Sequence, residues 1–303
     1  MVLDFYRKVK ALFQTDKHGV LMVVIANEGS SPGRKGFKMV VTQNQMYGTI
    51  GGGIMEHKLV EYARSLSEKS TFNPFIKHQI HDKSAPSDQS GMICSGRQTI
   101  AFYALNAESL TWIDLILNSK DGKISYSENG IHLNATASKT DWEFIEQISL
   151  SNQLYIIGGG HVGLALSEVL SRLDFQLHLL DHRENLNTME ANSFVQSKQI
   201  VEFETIEQYV PETANTYVVI MSFGYRTDDI IIRRLLGRKY KFIGMLGSRE
   251  KMNTLYKNLL ADGFSQEQLD QVHAPIGLDI KSETAEEIAI SVAAQLIQIK
   301  NKA

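Results

Sequence analysis

A glycine motif in the second half of the chain constrains its fold more than any other feature. Gly158, Gly160 and Gly163 follow a β-like run and begin a helical pattern. In nucleotide-binding α/β folds, the first two glycines let the backbone turn tightly and approach a pyrophosphate, and the third lets helix and strand pack closely. Asp181 ends the next predicted strand, where it would accept hydrogen bonds from a ribose hydroxyl. A tight structural turn without a ligand, with Asp181 as a solvated strand end, is the simpler alternative.

The sequence around this motif alternates between strand and helix patterns. Apolar runs that predict β-strands cover residues 153–157, 176–180, 216–221 and 241–246. Helical patterns follow three of these runs, and Thr284 with Glu287 forms a capping-box pattern that begins the last predicted helix. Because right-handed crossovers place such units side by side, we predict an α/β fold with a doubly wound parallel sheet of the Rossmann type.

Chain length favours a division into two domains. At 303 residues, the chain exceeds the usual length of a single domain. The polar segment from Ser149 to Asn152 separates the alternating second half from a first half in which helix and strand patterns are mixed. We therefore predict an N-terminal α/β domain over residues 1–149 and a Rossmann-like, nucleotide-binding or cofactor-binding domain over residues 150–303.

Composition excludes several classes of protein. A hydrophobic fraction of 43% and a charged fraction of 21% are typical of globular proteins. The net charge is −3 and the basic residues are scattered, so no nucleic-acid partner is expected. The N-terminus has no apolar signal segment, and no stretch has the length needed to span a bilayer. The sequence therefore predicts a cytoplasmic protein without a membrane partner.

Two further loops are expected at the same edge of the predicted parallel sheet. Gly247, Ser248 and Arg249 follow a predicted strand, and this pattern resembles an anion site at a helix start. Ser248 is explained equally well as an ordinary helix cap. His161 lies in the glycine motif and is either part of the binding site or a loop residue without a role.

The loop after the strand over residues 216–221 contains Arg226 and Asp228. Its place at the carboxyl edge of the predicted sheet would bring it to the same site. An ion pair between the two side chains, within the loop, is the simpler interpretation.

A second glycine cluster lies in the first half of the chain. Gly51, Gly52 and Gly53 precede a helical pattern, and their backbone amides are suited to an anion. Glu56 lies one turn inside that helix. The spacing alone favours a glycine-rich turn with Glu56 on a solvated face.

Two arginines and the single cysteine are further candidates in the first half. Arg34 and Arg97 are able to hold a phosphate or carboxylate with two hydrogen bonds each, although each is equally compatible with a surface arginine. Cys94 lies between glycines near Arg97, a setting that stabilises a thiolate able to ligate a soft metal or accept sulfur. A buried, inert thiol is the alternative.

Taken together, the motifs resemble those of the XdhC/CoxI family, whose members are accessory proteins for xanthine dehydrogenase and related molybdenum hydroxylases. The resemblance covers nearly the whole chain. It is carried by the segments Glu28–Arg34, Gly48–Gly53, Gly91–Gly96, Gly158–Gly163, Phe242–Arg249, Pro275–Ile280 and Glu283–Ala289.

The resemblance implies a cofactor-binding chaperone rather than a catalyst. Such a protein would bind the molybdenum cofactor (molybdopterin), assist its sulfuration and insert it into a xanthine dehydrogenase-type molybdoenzyme. A cysteine desulfurase is a further candidate partner, and a homodimer is expected. Two departures concern the site, because many relatives have glycine where this chain has Ser95 and histidine where it has Phe223.

Two other functions remain open at this point. An NAD(P)-dependent oxidoreductase would use the same glycine motif, with His161 or Glu56 as the group that transfers a proton. A scaffold without a ligand would contact a dehydrogenase without using Gly160.

Overall fold

The computed structural model describes residues 2–69, 71–81, 96–119, 121–134, 139–148 and 152–302. The chain divides into two compact units, residues 1–150 and 151–303. No helix among the described residues is long and apolar enough to cross a membrane.

The first unit combines helices with antiparallel strands. Its helices are α1 (Val2–Leu12), α2 (Gly53–Ser67) and α3 (Ser109–Asn118). Its strands are β1 (Gly19–Gly29), β2 (Lys38–Thr42), β3 (Met46–Gly48), β4 (Phe75–His81), β5 (Gly96–Leu105), β6 (Gly122–Ser127), β7 (Gly130–Leu133) and β8 (Glu143–Ile148). Among the described residues, these strands form a five-stranded sheet in the order β3-β2-β1-β5-β4 and a three-stranded sheet in the order β7-β6-β8.

Both faces of the larger sheet are covered, which explains why β1 is apolar at nearly every position. Val20, Met22 and Val24 pack with residues of α2 on one face. Leu21 and Val23 pack on the other face with residues of α1, α3, β6 and β8. Residues 20–25 are accordingly buried without alternation.

A buried polar network joins the two sheets of the first unit. The Lys38 ammonium lies 2.5 Å from a carboxylate oxygen of Glu146, and the side chains are 6% and 13% exposed. The Tyr126 hydroxyl donates to the other Glu146 oxygen at 2.9 Å, and the hydroxyls of Tyr126 and Tyr6 lie 2.6 Å apart. Burial lowers the pKa of Lys38 against the opposing effect of Glu146, and it raises the pKa of both tyrosines.

The second unit alternates strands with helices along the chain. Its strands are β9 (Asn152–Ile157), β10 (Phe175–Asp181), β11 (Ser197–Ile200), β12 (Thr216–Ile220), β13 (Phe242–Met245) and β14 (Val272–His273). Its α-helices are α4 (His161–Leu170), α5 (Asn187–Ala191), α6 (Tyr225–Leu235), α7 (Arg249–Ala261), α8 (Gln266–Asp270) and α9 (Ala285–Asn301), and a 3₁₀ helix covers Phe203–Gln208.

These strands pair in parallel in the order β11-β10-β9-β12-β13-β14. One hydrophobic cluster, which includes Ile231 and Leu255, packs α6 and α7 on one face of the sheet. The other, which includes Leu166 and Val292, packs α4 and α9 on the opposite face. The strand order reverses direction between β9 and β12, so the predicted doubly wound α/β class is confirmed. Thr284 and Glu287 form the predicted capping box at the start of α9.

Candidate functional site

The turn after β9 lies at the switch point of the parallel sheet. Gly158 has φ of 128°, and a Cβ there would lie within 3.0 Å of the Met221 carbonyl. A Cβ at Gly163 would similarly meet the Gly158 carbonyl, so this glycine lets α4 pack closely on the turn, as the spacing predicts. A Cβ at Gly160 would meet no atom within 4 Å. The backbone at Gly160, which precedes α4, is therefore accessible to a ligand.

Asp181, at the end of β10, is buried and fully engaged by protein donors. It is 1% exposed, so its interpretation as a solvated strand end is wrong. One carboxylate oxygen accepts from Gly159 N and Arg183 Nη2, both at 2.7 Å. The other accepts from the backbone N and Nε of Arg183, both at 2.9 Å. A ribose hydroxyl would have to displace Arg183 to reach this carboxylate.

These hydrogen bonds keep Asp181 ionised. Burial opposes the charge, but the hydrogen bonds from Arg183 and Gly159 outweigh it, and the pKa of Asp181 lies below its ordinary value. Arg183, which no sequence motif marked, is the charged group at this position that faces outward, with its side chain 31% exposed.

Aromatic side chains border Arg183. The Phe223 ring, 68% exposed, lies in the turn after β12, with its centroid 5.3 Å from the Arg183 guanidinium carbon. His182 stacks on Phe223 at 5.7 Å between ring centroids and lies 4.6 Å from Phe203. Since β10 and β12 flank β9, these contacts join the turns on either side of the glycine loop. The departure at Phe223 therefore places an aromatic ring at the edge of the candidate site.

The loop after β12 is tied to α7 by a buried carboxylate. Asp228 is fully buried and accepts hydrogen bonds from Ser222 Oγ and Lys251 Nζ. Burial raises the pKa of Asp228 despite the proximity of Lys251. The simpler interpretation from sequence, an ion pair with Arg226, is wrong, because Lys251 approaches from the neighbouring helix.

Gly247, Ser248 and Arg249 follow β13 as expected. Ser248 Oγ accepts from Lys251 N at 3.2 Å and caps α7, so the helix-cap interpretation is confirmed. Arg249 is exposed, as is His161 at the start of α4. Contacts of Arg249 and His161 with a ligand stay a prediction.

The glycine turn before α2 departs from expectation. Instead of a solvated face, Glu56 turns back onto this turn, where one carboxylate oxygen accepts from Thr49 Oγ1 at 2.6 Å, Ile50 N at 2.8 Å and Gly52 N at 2.9 Å. Gly51 N is held by Thr49 Oγ1 at 3.1 Å. The anion expected at these amides is thus supplied by the chain itself.

The pKa of Glu56 reflects this position. Burial opposes ionisation, but the hydrogen bonds from Thr49, Ile50 and Gly52 outweigh it, so the pKa lies below its ordinary value. Among the described residues, Gly53 completes the turn with φ of 74° as the first residue of α2. Gly51 and Gly52 do not offer a vacant phosphate cradle, since an intramolecular carboxylate is already positioned there.

The glycine motifs of the first unit nevertheless converge. Gly33 N donates to Gln98 Oε1 at 2.9 Å, and Gln98 Nε2 donates to Ile50 O at 3.2 Å. A Cβ at Gly51 would fall within 3.0 Å of Gly33, and a Cβ at Gly96 within 3.0 Å of Ser31. Gln98 is buried in β5 and holds two of these motifs together; no sequence motif marked it.

The two predicted arginines of the first unit lie at the surface. Arg97 donates through Nε to Glu28 at 2.7 Å in an exposed ion pair. Arg34 is exposed and donates to Ser31 O at 3.1 Å. Cys94 lies outside the described residues. Within the described ranges, no group of three or more His, Cys, Asp or Glu residues could hold a metal ion.

Comparison with known proteins agrees with this architecture. Residues 12–73 match the model of the XdhC and CoxI family, and residues 154–296 match that of the XdhC Rossmann domain. The chain belongs to the XdhC and CoxI family. A crystal structure described as a xanthine dehydrogenase from Bacillus halodurans shares the fold, with a TM-score of 0.80 and 22% identity over 98% of this chain and 96% of that one.

Two curated proteins are similar in sequence. A Bacillus subtilis protein, named as a probable subunit of xanthine dehydrogenase, is 22% identical over 99% of this chain and 98% of its own length. The uncharacterized protein YqeB of Escherichia coli is 25% identical over 92% of this chain, and the chain spans 43% of the length of that relative.

Proposed function

We propose that this chain is an accessory protein that binds the molybdenum cofactor, assists its sulfuration and inserts it into a xanthine dehydrogenase-type enzyme. Family membership supports an accessory role, and the name of the Bacillus subtilis relative supports the class of client. The observation that carries the binding step is the accessible backbone at Gly160.

The geometry around Gly160 suits the phosphate end of a pterin. The turn lies at the start of α4, a helix of ten residues, whose first amides and dipole favour an anion. Gly160 adds no side chain that would keep a phosphate away from these amides. His161 and Arg249 are the exposed side chains that we assign to contacts with the ligand. When bound, the cofactor would supply the molybdenum centre that the client enzyme uses.

Sulfur handling is assigned to Cys94 on the sequence alone. A thiol three residues before an arginine in the sequence, as Cys94 is before Arg97, has the chemistry to hold sulfur or a soft metal. Cys94→Ser would then keep pterin binding and reduce the activity of the client matured with it. The client, a cysteine desulfurase and a second copy of the chain are the partners that we propose, and co-purification and analytical ultracentrifugation test them.

The binding step is tested by purification under reducing, anaerobic conditions from cells that make the molybdenum cofactor and from cells that do not. Bound molybdenum is measured by elemental analysis and pterin by fluorescence after oxidation. We expect both only in protein from the first cells, and much less of either in Gly160→Ala. Protein without pterin from both sources, while folded, would refute the proposal.

A further inference from the structure

The strongest unassigned feature is the pair formed by Arg183 and Phe223 at the carboxyl edge of the parallel sheet. This inference rests on the proposed use of the Gly160 turn as a phosphate site. We propose that this edge binds a nucleotide whose ribose carries, besides its 5′-phosphate, a second phosphate at the 2′ position. Arg183 recognises that phosphate, and the Phe223 ring carries the base.

The usual acceptor for a ribose hydroxyl is occupied at this edge of the sheet. In Rossmann folds, a carboxylate at the end of the second strand accepts from the ribose hydroxyls, whereas an arginine near it accommodates a ribose phosphate. Asp181 occupies the carboxylate position, but it is 1% exposed and both its oxygens are taken. A bare ribose therefore finds no free acceptor at this carboxylate.

Arg183 keeps part of its capacity to donate hydrogen bonds. A guanidinium has five N–H groups, and Asp181 takes one from Nε and one from Nη2. Within the described part of the chain, no hydrogen bond occupies the other three. Asp181 fixes the orientation of the guanidinium, so that its remaining donors form a rigid fork, the geometry that binds phosphate with two hydrogen bonds.

Phe223 lies next to this guanidinium. Its ring stacks on His182 and borders Arg183 while remaining largely exposed. An exposed aromatic ring beside a guanidinium is a surface on which nucleobases stack. Because the Phe223 ring lies 5.3 Å from the Arg183 guanidinium, the base and the ribose phosphate would bind side by side, next to a phosphate held at Gly160 after the strand between them.

The test compares two probes of equal phosphate number by isothermal titration calorimetry with the full chain. Adenosine 2′,5′-bisphosphate carries one phosphate on the ribose ring, and adenosine 5′-diphosphate carries none there. We expect the first to bind at least about 10-fold more tightly, because the charge-assisted hydrogen bonds from Arg183 to its 2′-phosphate provide a gain of this size. Arg183→Gln should abolish this preference while retaining affinity for the 5′-diphosphate.

Arg233 provides a matched control. It is similarly exposed, pairs with Asp229 and Asp262, and lies 5.9 Å from the Phe264 ring. Arg233→Gln should keep the preference. If Arg183→Gln does not fold, the inference is still tested by whether the unaltered protein prefers the 2′,5′-bisphosphate to the 5′-diphosphate.

Equal or tighter binding of the 5′-diphosphate would overturn the inference and leave a nucleotide site in place. Failure of both probes would overturn it too. The proposed function is judged separately, since protein that retains pterin but binds neither probe would still be a molybdenum-cofactor carrier.

Discussion

The glycine loop after β9 gives a pair of substitutions with opposite expected effects. Gly163→Ala would place a methyl group against the Gly158 carbonyl, well inside the distance that real Cβ atoms keep. The obstructing atom belongs to the backbone of a buried turn, so α4 itself must move. Overpacking of this kind costs about 1–3 kcal/mol, and the helix preference of alanine over glycine returns about 1 kcal/mol at most. Because the obstructing atom lies far inside contact distance and belongs to the backbone, the cost falls at the upper end of this range, and we expect a net loss of about 2 kcal/mol in the free energy of unfolding.

Gly160→Ala is the control. Gly160 has φ of −71°, which alanine adopts without strain, and a methyl group there meets nothing within 4 Å. Glycine is preferred over alanine at a helix N-cap, and its loss there costs about 0.5–1 kcal/mol. The unfolding free energy should therefore fall by no more than about 1 kcal/mol, whereas ligand binding is lost.

Urea denaturation separates the two outcomes. Both tryptophans, Trp112 and Trp142, lie in the first unit, so their fluorescence provides a reference for that unit, and far-ultraviolet circular dichroism follows both units. Gly163→Ala should lower the urea midpoint of the second unit, which is seen by circular dichroism, and leave the midpoint seen by tryptophan fluorescence unchanged. If both variants lose the same stability, or Gly163→Ala loses none, the close packing of α4 on the turn is not what requires glycine there.

Three further predictions concern charged groups. Glu56→Gln should cost about 1–2 kcal/mol in urea denaturation, because a neutral amide replaces a partly exposed carboxylate that accepts three hydrogen bonds; an unchanged midpoint would contradict this. Lys38→Met should lower the free energy of unfolding by about 3–5 kcal/mol, because the Glu146 charge stays buried without its partner, and adding Glu146→Gln should restore much of this loss. A double variant no more stable than the single variant would refute this cause. Folding lowers the pKa of Asp181, so its ionised carboxylate contributes fully to the free energy of unfolding above its ordinary pKa of 3.8, and this contribution is lost as the pH falls through the folded value. Asp181→Asn should therefore make the free energy of unfolding depend less steeply on pH in the acid range.

Features set by short-range patterns were predictable from the sequence. The glycine spacing predicts both the turn at Gly158 and the close packing at Gly163, since each depends on residues within one β–α unit. The capping box of Thr284 and Glu287 spans three residues and was found for the same reason. Alternation of strands and helices then specified the class of sheet.

Pairing between side chains was less accessible. Glu56 and its glycine turn are neighbours, and a carboxylate in the first turn of a helix after glycines is a readable signal for such a capture. Lys38 and Glu146 are 108 residues apart, and no local pattern joins them. Asp228 pairs with Lys251 of α7, which is distant in sequence, so the interpretation based on its sequence neighbour Arg226 was wrong.

The hydrogen bonds at the carboxyl edge of the parallel sheet are made within the protein. Gly159 N joins the turn after β9 to Asp181 at the end of β10, and Asp228 joins the turn after β12 to α7. The conformational entropy of these turns is therefore lost during folding, and a ligand does not have to order them when it binds. In the proposed carrier, uptake and release would therefore depend on the contacts of the ligand itself, and the ligand could be exchanged without a change of fold.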